Sequence, residues 1–286
     1  VDSCMEVAYA GLGDDEGLSR ALEGAETVVH LAARVHVMRD RAADPMQEHR
    51  RVNVDGSLAV LRAAQRGGVR QIVFLSTVKA MGEDSGDAVW DETTAALPQD
   101  PYGASKLEAE NRLAEGAREA GIELVVLRIP LVYGPGVGGN MIRLVRAVLR
   151  GIPLPFGAVR NRRSLLYLGN LTHAISLVVE AQRRSSGVFL VSDGVDLSTP
   201  DLIRLIGEAA EKRARLVQVP LAVLKGFARF GDVTGLPLNS LALGRLVGSL
   251  RVDGSRFQRT YSFVPVAPAE GVRAMVRWAT AVCGAN

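Results

Sequence analysis

The chain of 286 residues is poor in cysteine and histidine. It has two cysteines, Cys4 and Cys283, near opposite ends of the sequence, and four scattered histidines. Neither residue type has the spacing that metal ligands show, so the sequence predicts no metal site. Reduced thiols are the expected state of both cysteines, as is usual in a cytoplasmic protein.

The sequence also lacks a long apolar run and a strong excess of charge. No run of about 18 apolar residues and no secretory signal pattern is present, so we expect no transmembrane segment. The formal net charge of +3 is too small to argue for nucleic acid as a partner. The basic clusters at 160–163 and 212–215 are expected to face solvent or a substrate phosphate. Residues 216–236 are apolar with Lys225 and Arg229 interspersed, and we expect a packed helix with a basic edge rather than membrane contact.

What the sequence does contain is an alternation of short β-branched runs and helical stretches, which predicts a parallel sheet built of βαβ units. With 48% hydrophobic and 23% charged residues, the chain can bury the core of such an α/β protein. The expected strands are 27–33, 71–76, 123–129 and 188–192. The expected helices are 16–22 with Asp14 as its cap, 44–65, 103–120, 141–150 and 170–182, with a further helix opening at 198–201.

The most informative motif is Tyr102-x-x-x-Lys106. This spacing places a phenol and an ammonium on one face of a helix. A phenol with a pKa of about 10 is a weak base, and a cation one turn away is expected to lower that pKa toward the useful range. Thr77 ends the apolar run that precedes it and can donate a hydrogen bond to the same substrate oxygen. The motif alone is common on helix surfaces, so its meaning depends on its surroundings.

Those surroundings resemble the extended short-chain dehydrogenase/reductase family, in particular its nucleotide-sugar epimerase/dehydratase branch. The matching segments follow one another along nearly the whole chain: 28–33, 53–57, 74–77, 101–106, 127–136 and 163–171. The resemblance implies an α/β fold with a Rossmann-type doubly wound parallel sheet and a smaller C-terminal substrate-binding region. It also implies NAD as the cofactor, with NADP as an alternative.

By the same resemblance, residues 1–129 form the NAD-binding domain, to which residues 164–196 return. Residues 130–163 and 197–286 form the substrate-binding region, and the first of these stretches is rich in glycine and proline, as substrate-binding loops often are. The resemblance further implies a UDP-sugar as substrate and a homodimer as the assembly.

The beginning of the chain departs from the family pattern. Family members open with a strand and a Gly-x-x-Gly-x-x-Gly turn that holds the cofactor pyrophosphate, followed by a strand that reads the ribose. The sequence has neither, and residues 6–10 are expected to be the third strand of the fold. We therefore expect the first βαβ unit to be missing from this chain and NAD binding by the chain as given to be weak. A non-catalytic fragment stays open as an alternative to an enzyme.

The resemblance assigns catalysis to Thr77, Tyr102 and Lys106. It assigns cofactor contacts to Tyr102 and Lys106, and also to six further residues at the ends of the strands and on one helix. That set is Leu31, Ala32, Ala33, Asn53, Ser76 and Pro130. Within it, Asn53 is expected to bridge helix and strand more than to touch a ligand directly.

Substrate contacts are assigned to Thr77, Asn140 and Arg163. A guanidinium fork at 163 suits a diphosphate, and an amide near a helix N-terminus suits a phosphate or a base. The alternative for Asn140 is that it only caps the helix that follows. His36 is expected to be a structural histidine. No family role is assigned to Lys79.

The two residues after Thr77 separate the chemistries of the family. Dehydratases place Asp-Glu there, because eliminating water from the sugar needs a further acid and base, whereas this chain has Val78 and Lys79. We therefore expect hydride chemistry at one carbinol, with Tyr102 removing the O4 proton. Return of the hydride to the other face gives a 4-epimerase of a UDP-hexose or UDP-N-acetylhexosamine, and a substrate that arrives oxidised gives a 4-keto-sugar reductase. The sequences at 76–83 and 162–165 resemble bacterial surface-polysaccharide enzymes.

Overall fold

The computed structural model describes residues 6–35, 44–181, 185–234 and 240–283, and the chain divides into two compact units. Unit 1 contains Val1–Gly82, Glu92–Ile129 and Ile175–Leu190. Unit 2 contains Glu83–Asp91, Pro130–Ala174 and Val191–Asn286. The third stretch of unit 1, 175–190, lies within the residues 164–196 that are expected to return to the NAD-binding domain.

The strands are β1 (Thr27–His30), β2 (Gln71–Thr77), β3 (Glu123–Ile129), β4 (Leu131–Tyr133), β5 (Leu165–Tyr167) and β6 (Gly187–Leu190). The helices are α1 (Asp15–Ala21), α2 (Pro45–Arg50), α3 (Gly56–Arg66), α4 (Pro101–Ala120), α5 (Gly139–Leu149), α6 (Leu168–Glu180), α7 (Thr199–Ala209), α8 (Leu221–Thr234), α9 (Ser240–Val247), α10 (Ser255–Tyr261) and α11 (Pro268–Cys283). A π-helical turn, Arg51–Asp55, joins α2 to α3, and a 3-10 turn, Val78–Ala80, follows β2.

Unit 1 is built on a parallel sheet with the strand order β1-β2-β3-β6. Its central strand β2 is an almost unbroken apolar run, and Ile72, Val73 and Phe74 are fully buried. Such a run is typical of a parallel strand covered on both faces. The four strands are those that the sequence predicts, and β1 ends three residues earlier than expected.

The helices of unit 1 largely follow the predictions. Asp14 caps α1 by accepting a hydrogen bond from the backbone nitrogen of Gly17 at 2.9 Å. The single helix expected at 44–65 is a continuous helical stretch that contains the π-helical turn Arg51–Asp55. That turn carries Asn53, and π-helical turns are frequent at functional sites.

The strand expected at 6–10 is absent from the structure, so this prediction is wrong. These residues have no regular secondary structure and are exposed. A strand needs a neighbour with which to exchange backbone hydrogen bonds, and residues 6–10 pair with none of the strands that the structure describes. Cys4 and His36, on which the sequence analysis also made predictions, lie outside the described residues.

Unit 2 has its own apolar core, formed by α5, α7 and α11 with the parallel pair β4 and β5. A capping box formed by Ser198 and Asp201 begins α7, as the sequence predicts. A buried carboxylate, Asp193, accepts hydrogen bonds at 2.8 Å from the Tyr133 hydroxyl, the Tyr167 backbone nitrogen and the Asn170 amide. Burial raises the pKa of Asp193 and these three bonds oppose the rise.

Helix α8 buries one face, as expected, through Leu224 and Ala228. The helix also has an exposed apolar face, which was not expected. Val223, Phe227 and Phe230 lie at helical spacing on this face. Among the described residues, no helix has the length and apolar character needed to cross a membrane.

Candidate active site

Thr77 and Tyr102 meet where β2 ends and α4 begins. Thr77 is the last residue of β2, and its hydroxyl accepts a hydrogen bond from the backbone nitrogen of Lys79 at 3.2 Å. The side chain of Thr77 also interacts with the phenol of Tyr102 and lowers the pKa of that phenol. The structure therefore brings these two side chains together, and their joint role in catalysis stays a prediction.

The position of Tyr102 depends on how α4 begins. The Asp100 side chain caps the helix by accepting a hydrogen bond from the Gly103 nitrogen at 2.6 Å, and Pro101 occupies the first helical turn, where its missing N–H costs nothing. A β-carbon on Gly103 would lie 2.4 Å from the carbonyl oxygen of Lys79. Glycine at 103 therefore allows the first turn of α4 to approach the turn that follows Thr77.

Lys106 lies one helical turn beyond Tyr102 and is almost completely buried. Its Nζ atom lies 3.7 Å from the centroid of the Phe74 ring, a cation–π contact. Burial lowers the pKa of Lys106 to about 7, and the nearby Glu110 carboxylate opposes the decrease.

The phenol of Tyr102 has a raised pKa, which makes the sequence expectation of a lowered one wrong. Burial and, to a smaller extent, the Asp100 carboxylate raise the pKa to about 12, and the interaction with Thr77 opposes the rise. Burial dominates here, and the ammonium of Lys106 lies over a ring of the core. In this arrangement Tyr102 holds its proton at neutral pH.

Asn53 is the bridge that the sequence analysis expects. It is fully buried, accepts a hydrogen bond from the Arg34 nitrogen at 2.7 Å, and donates to the Arg34 carbonyl at 3.1 Å. It also donates to the Ser105 hydroxyl at 2.8 Å, and this hydroxyl in turn donates to the Tyr102 carbonyl at 2.8 Å. The segment that follows β1 is thereby tied to the first turns of α4. Direct contact of Asn53 with the cofactor stays a prediction.

A buried ionic network lies beneath the site and was missed by the sequence analysis. Ser76 donates a hydrogen bond to Glu110, and the Arg128 guanidinium binds the same carboxylate with Nη2 at 2.6 Å and Nε at 3.1 Å. The signal that could have revealed it is an arginine inside the apolar strand Glu123–Ile129. A charge in such a strand needs a buried partner.

His30 was also missed. Its Nε2 atom lies 2.9 Å from the Ser57 hydroxyl, and its ring packs against Phe74 with 5.5 Å between the ring centroids. Burial, with a smaller contribution from the charge of Lys106, lowers the pKa of His30 to about 4. The imidazole is therefore neutral at physiological pH and acts as a packed hydrogen-bonding group.

The residues expected to hold the cofactor fit a dinucleotide. Leu31 and Ala32 are exposed just beyond β1, and parallel strands bring the end of β1 to the same sheet edge as Thr77. Small or flat apolar surface at this edge suits a planar ring, and the Tyr102 hydroxyl and the Lys106 amine, one helical turn apart on α4, suit ribose hydroxyls. Ala33 follows on the same segment, and Pro130 directly follows β3. Cofactor contacts of these residues and of the buried Ser76 stay predictions.

Asn140 and Arg163, the two residues expected to bind the substrate diphosphate, lie in unit 2. Asn140 is the second residue of α5, whose cap is Gly138, so Asn140 does not cap this helix. Arg163 is partly buried, and its Nη1 atom donates to the Gly248 carbonyl at 3.2 Å. Their substrate contacts stay predictions.

Comparison with known proteins identifies the class. Residues 3–191 match the model of the NAD dependent epimerase/dehydratase family. The chain is 38% identical over 247 residues to a UDP-glucose 4-epimerase of Vibrio cholerae, covering 85% of this chain and 73% of that protein. It is 27% identical over 267 residues to an N-acetyl-alpha-D-glucosaminyl-diphospho-ditrans,octacis-undecaprenol 4-epimerase of Escherichia coli O157:H7, covering 91% and 79%.

The fold agrees with this match. A crystal structure of UDP-glucose 4-epimerase with UDP-glucose from Thermotoga maritima is similar with a TM-score of 0.75 and 25% identity, covering 96% of this chain and 84% of that one. The chain belongs to the NAD dependent epimerase/dehydratase family. It is therefore an NAD-dependent enzyme with a Rossmann-type fold.

Proposed function

We propose that the protein is a nucleotide-sugar 4-epimerase that acts on a UDP-hexose or a UDP-N-acetylhexosamine through a transient 4-keto sugar. The observation that carries the proposal is the contact between Thr77 and Tyr102, next to two positions that cannot supply a second acid and base. At those positions Val78 is buried and Lys79 forms an ion pair with Asp100. A 4,6-dehydratase needs carboxyl groups there.

In the proposed mechanism, Tyr102 exchanges a proton with the O4 hydroxyl of the sugar, and Thr77 donates a hydrogen bond that holds this oxygen. NAD held at this site would supply the acceptance of a hydride from C4 and its return to the opposite face of the keto sugar. Lys106 binds the cofactor ribose, and a cation brought toward the phenol favours the phenolate. Because the phenol is protonated in the arrangement described above, proton transfer depends on the charges around Tyr102.

The relatives support the substrate class. The Vibrio cholerae relative is a UDP-glucose 4-epimerase, and the Thermotoga maritima enzyme was solved with UDP-glucose. In the proposal, unit 1 binds NAD, while Asn140 and Arg163 of unit 2 bind the UDP diphosphate. A homodimer in the cytoplasm that serves polysaccharide biosynthesis completes the proposal, and light scattering of the purified protein tests the dimer.

The proposed function is tested with the purified protein, NAD and UDP-sugars labelled with deuterium at C4. We expect interconversion of the C4 epimers with the deuterium retained and with no net consumption of NAD, because the same hydride leaves and returns. Stoichiometric oxidation of NADH or NADPH with a 4-keto sugar would instead identify the reductase. Failure to convert UDP-glucose, UDP-galactose and their N-acetyl counterparts would contradict the proposal.

A further inference from the structure

Lys79, to which the sequence analysis assigned no role, contacts two parts of the site, Thr77 and Asp100. Its Nζ atom lies 2.5 Å from Oδ2 of Asp100, and the two side chains are 22% and 19% exposed. Its backbone nitrogen donates to the Thr77 hydroxyl at 3.2 Å. Lys79 therefore contacts Thr77, which interacts with the Tyr102 phenol. It also contacts Asp100, which caps the helix that carries Tyr102.

Asp100 has two opposing effects at this position. As the cap of α4, its other carboxylate oxygen accepts from the Gly103 nitrogen at 2.6 Å, and a negative charge at a helix N-terminus stabilises the helix. The same charge raises the pKa of Tyr102, two residues away, because an anion disfavours formation of a second anion nearby. An enzyme that needs a phenolate at 102 would gain from a cation that offsets Asp100 without removing the cap.

The structure supplies that cation. We propose that Lys79 is a positioning residue that acts through Asp100, fixing the helix cap and offsetting its negative charge where the proton of Tyr102 is transferred. This inference rests on the proposed function for the role of Tyr102. Lys79 itself is held in an ion pair and in the backbone turn after Thr77, so it works through its neighbours.

The test compares pH–rate profiles of kcat for the wild type, Lys79→Gln, Asp100→Asn and the double variant. Lys79→Gln leaves the Asp100 charge without its cation, so the phenol loses its proton at higher pH. We expect the acidic limb of the profile to move up by roughly one pH unit. Asn also caps helices, so adding Asp100→Asn should return the limb to within a few tenths of a unit of the wild type. Lys79→Arg keeps the charge and should keep the wild-type profile.

A matched control is Arg50→Gln, which breaks an exposed ion pair with Glu108 on the same helix, 2.7 Å between Nε and Oε2. This control should leave the pH profile unchanged, and circular dichroism shows whether each variant is folded. An unshifted acidic limb in folded Lys79→Gln would overturn the proposal. A double variant displaced as far as Lys79→Gln would overturn it as well, since Asp100 would then not be the residue through which Lys79 acts.

A second measurement does not depend on turnover. A fluorinated tyrosine placed at 102 has a more acidic phenol, and fluorine NMR follows its titration in the NAD-bound protein. We expect its pKa to be higher in the Lys79→Gln background than in the wild type and restored in the double variant. Identical titrations would overturn the inference. If the wild type converts no UDP-sugar but the titrations differ as expected, the proposed function fails while the link between Lys79 and Tyr102 stands.

Discussion

The guanidinium of Arg128 binds the carboxylate of Glu110 inside unit 1, with Nη2 and Nε at 2.6 and 3.1 Å from Oε2. Both side chains are less than 10% exposed. Arg128 belongs to β3 and Glu110 to α4, the helix that carries Tyr102 and Lys106. This pair therefore fixes the helix of the site to the sheet, and Ser76 completes it from the neighbouring strand.

Removing one partner of this pair should destabilise the protein strongly. Arg128→Met leaves the Glu110 carboxylate buried without its cation, and we expect a loss of about 3–5 kcal/mol in the free energy of unfolding. The double variant Arg128→Met, Glu110→Leu removes both charges and should recover most of that loss. Denaturant unfolding of the three proteins provides the measurement. A double variant less stable than Arg128→Met would show that the pair itself, rather than the unpaired charge, dominates.

Removing the phenol should abolish most of the turnover. Tyr102→Phe is expected to reduce kcat by at least about a hundredfold, the usual scale for a lost proton-transfer group, with little change in folding. Thr77→Val should cause a smaller loss and shift the acidic limb of the pH profile upward, because the hydrogen bond that lowers the pKa of Tyr102 is lost. Turnover of Tyr102→Phe close to that of the wild type would contradict the assignment.

The buried ammonium of Lys106 should make stability depend on pH in a defined direction. Its pKa is about 7 in the folded protein and near 10.5 in the unfolded chain, so the unfolded state binds more protons between these values. The destabilising effect of Lys106 is thus fully present below pH 7 and is relieved as the pH rises toward 10.5. Lys106→Met should stabilise the protein most at pH 6–7 and progressively less above it. Thermal unfolding across this pH range measures the stability difference between Lys106→Met and the wild type, with exposed Lys225→Met as the control. A gain in stability that does not depend on pH would contradict this prediction.

The close approach of α4 to the turn after Thr77 should make Gly103 sensitive to substitution. A β-carbon at 103 would lie 2.4 Å from the backbone oxygen of Lys79. Gly103→Ala must therefore displace either the start of α4 or the turn after Thr77. We expect both the stability and kcat to fall. On the same helix, a β-carbon at Gly116 meets only the side chain of Leu61, at 2.6 Å, which can move. Gly116→Ala is the matched control and should preserve kcat; equal effects at the two positions would refute the explanation.

The proposed contact of Arg163 with the substrate predicts different effects on the binding of the UDP-sugar and of NAD. Arg163→Ala should weaken UDP-sugar binding and leave NAD binding unchanged, because a charge-assisted contact to phosphate is lost from the substrate alone. The neighbouring Arg162, whose side chain is exposed, provides the control variant Arg162→Ala. Isothermal titration calorimetry with each ligand measures the effect. Loss of affinity for both ligands, or for neither, would argue against the assignment.

The sequence by itself determined the four strands of the main sheet and the spacing of the proposed catalytic pair. Four β-branched runs predicted β1, β2, β3 and β6, because an apolar strand of this kind is stable only inside a covered parallel sheet. Residues four apart lie on the same face of any helix, so the placement of Tyr102 and Lys106 on one face needed no tertiary information. The strand expected at 6–10 failed because a strand depends on a neighbour that sequence pattern does not supply.

The tertiary structure alone decided how these residues are charged and held. The direction of the Tyr102 pKa follows from burial and from Asp100, and neither can be read from a motif that places a lysine one turn away. The partners of Glu110 and Lys79 come from other elements, Arg128 on β3 and Asp100 at the start of α4. Helical and strand periods report which face a residue occupies, whereas ion pairing and desolvation depend on which elements pack against that face.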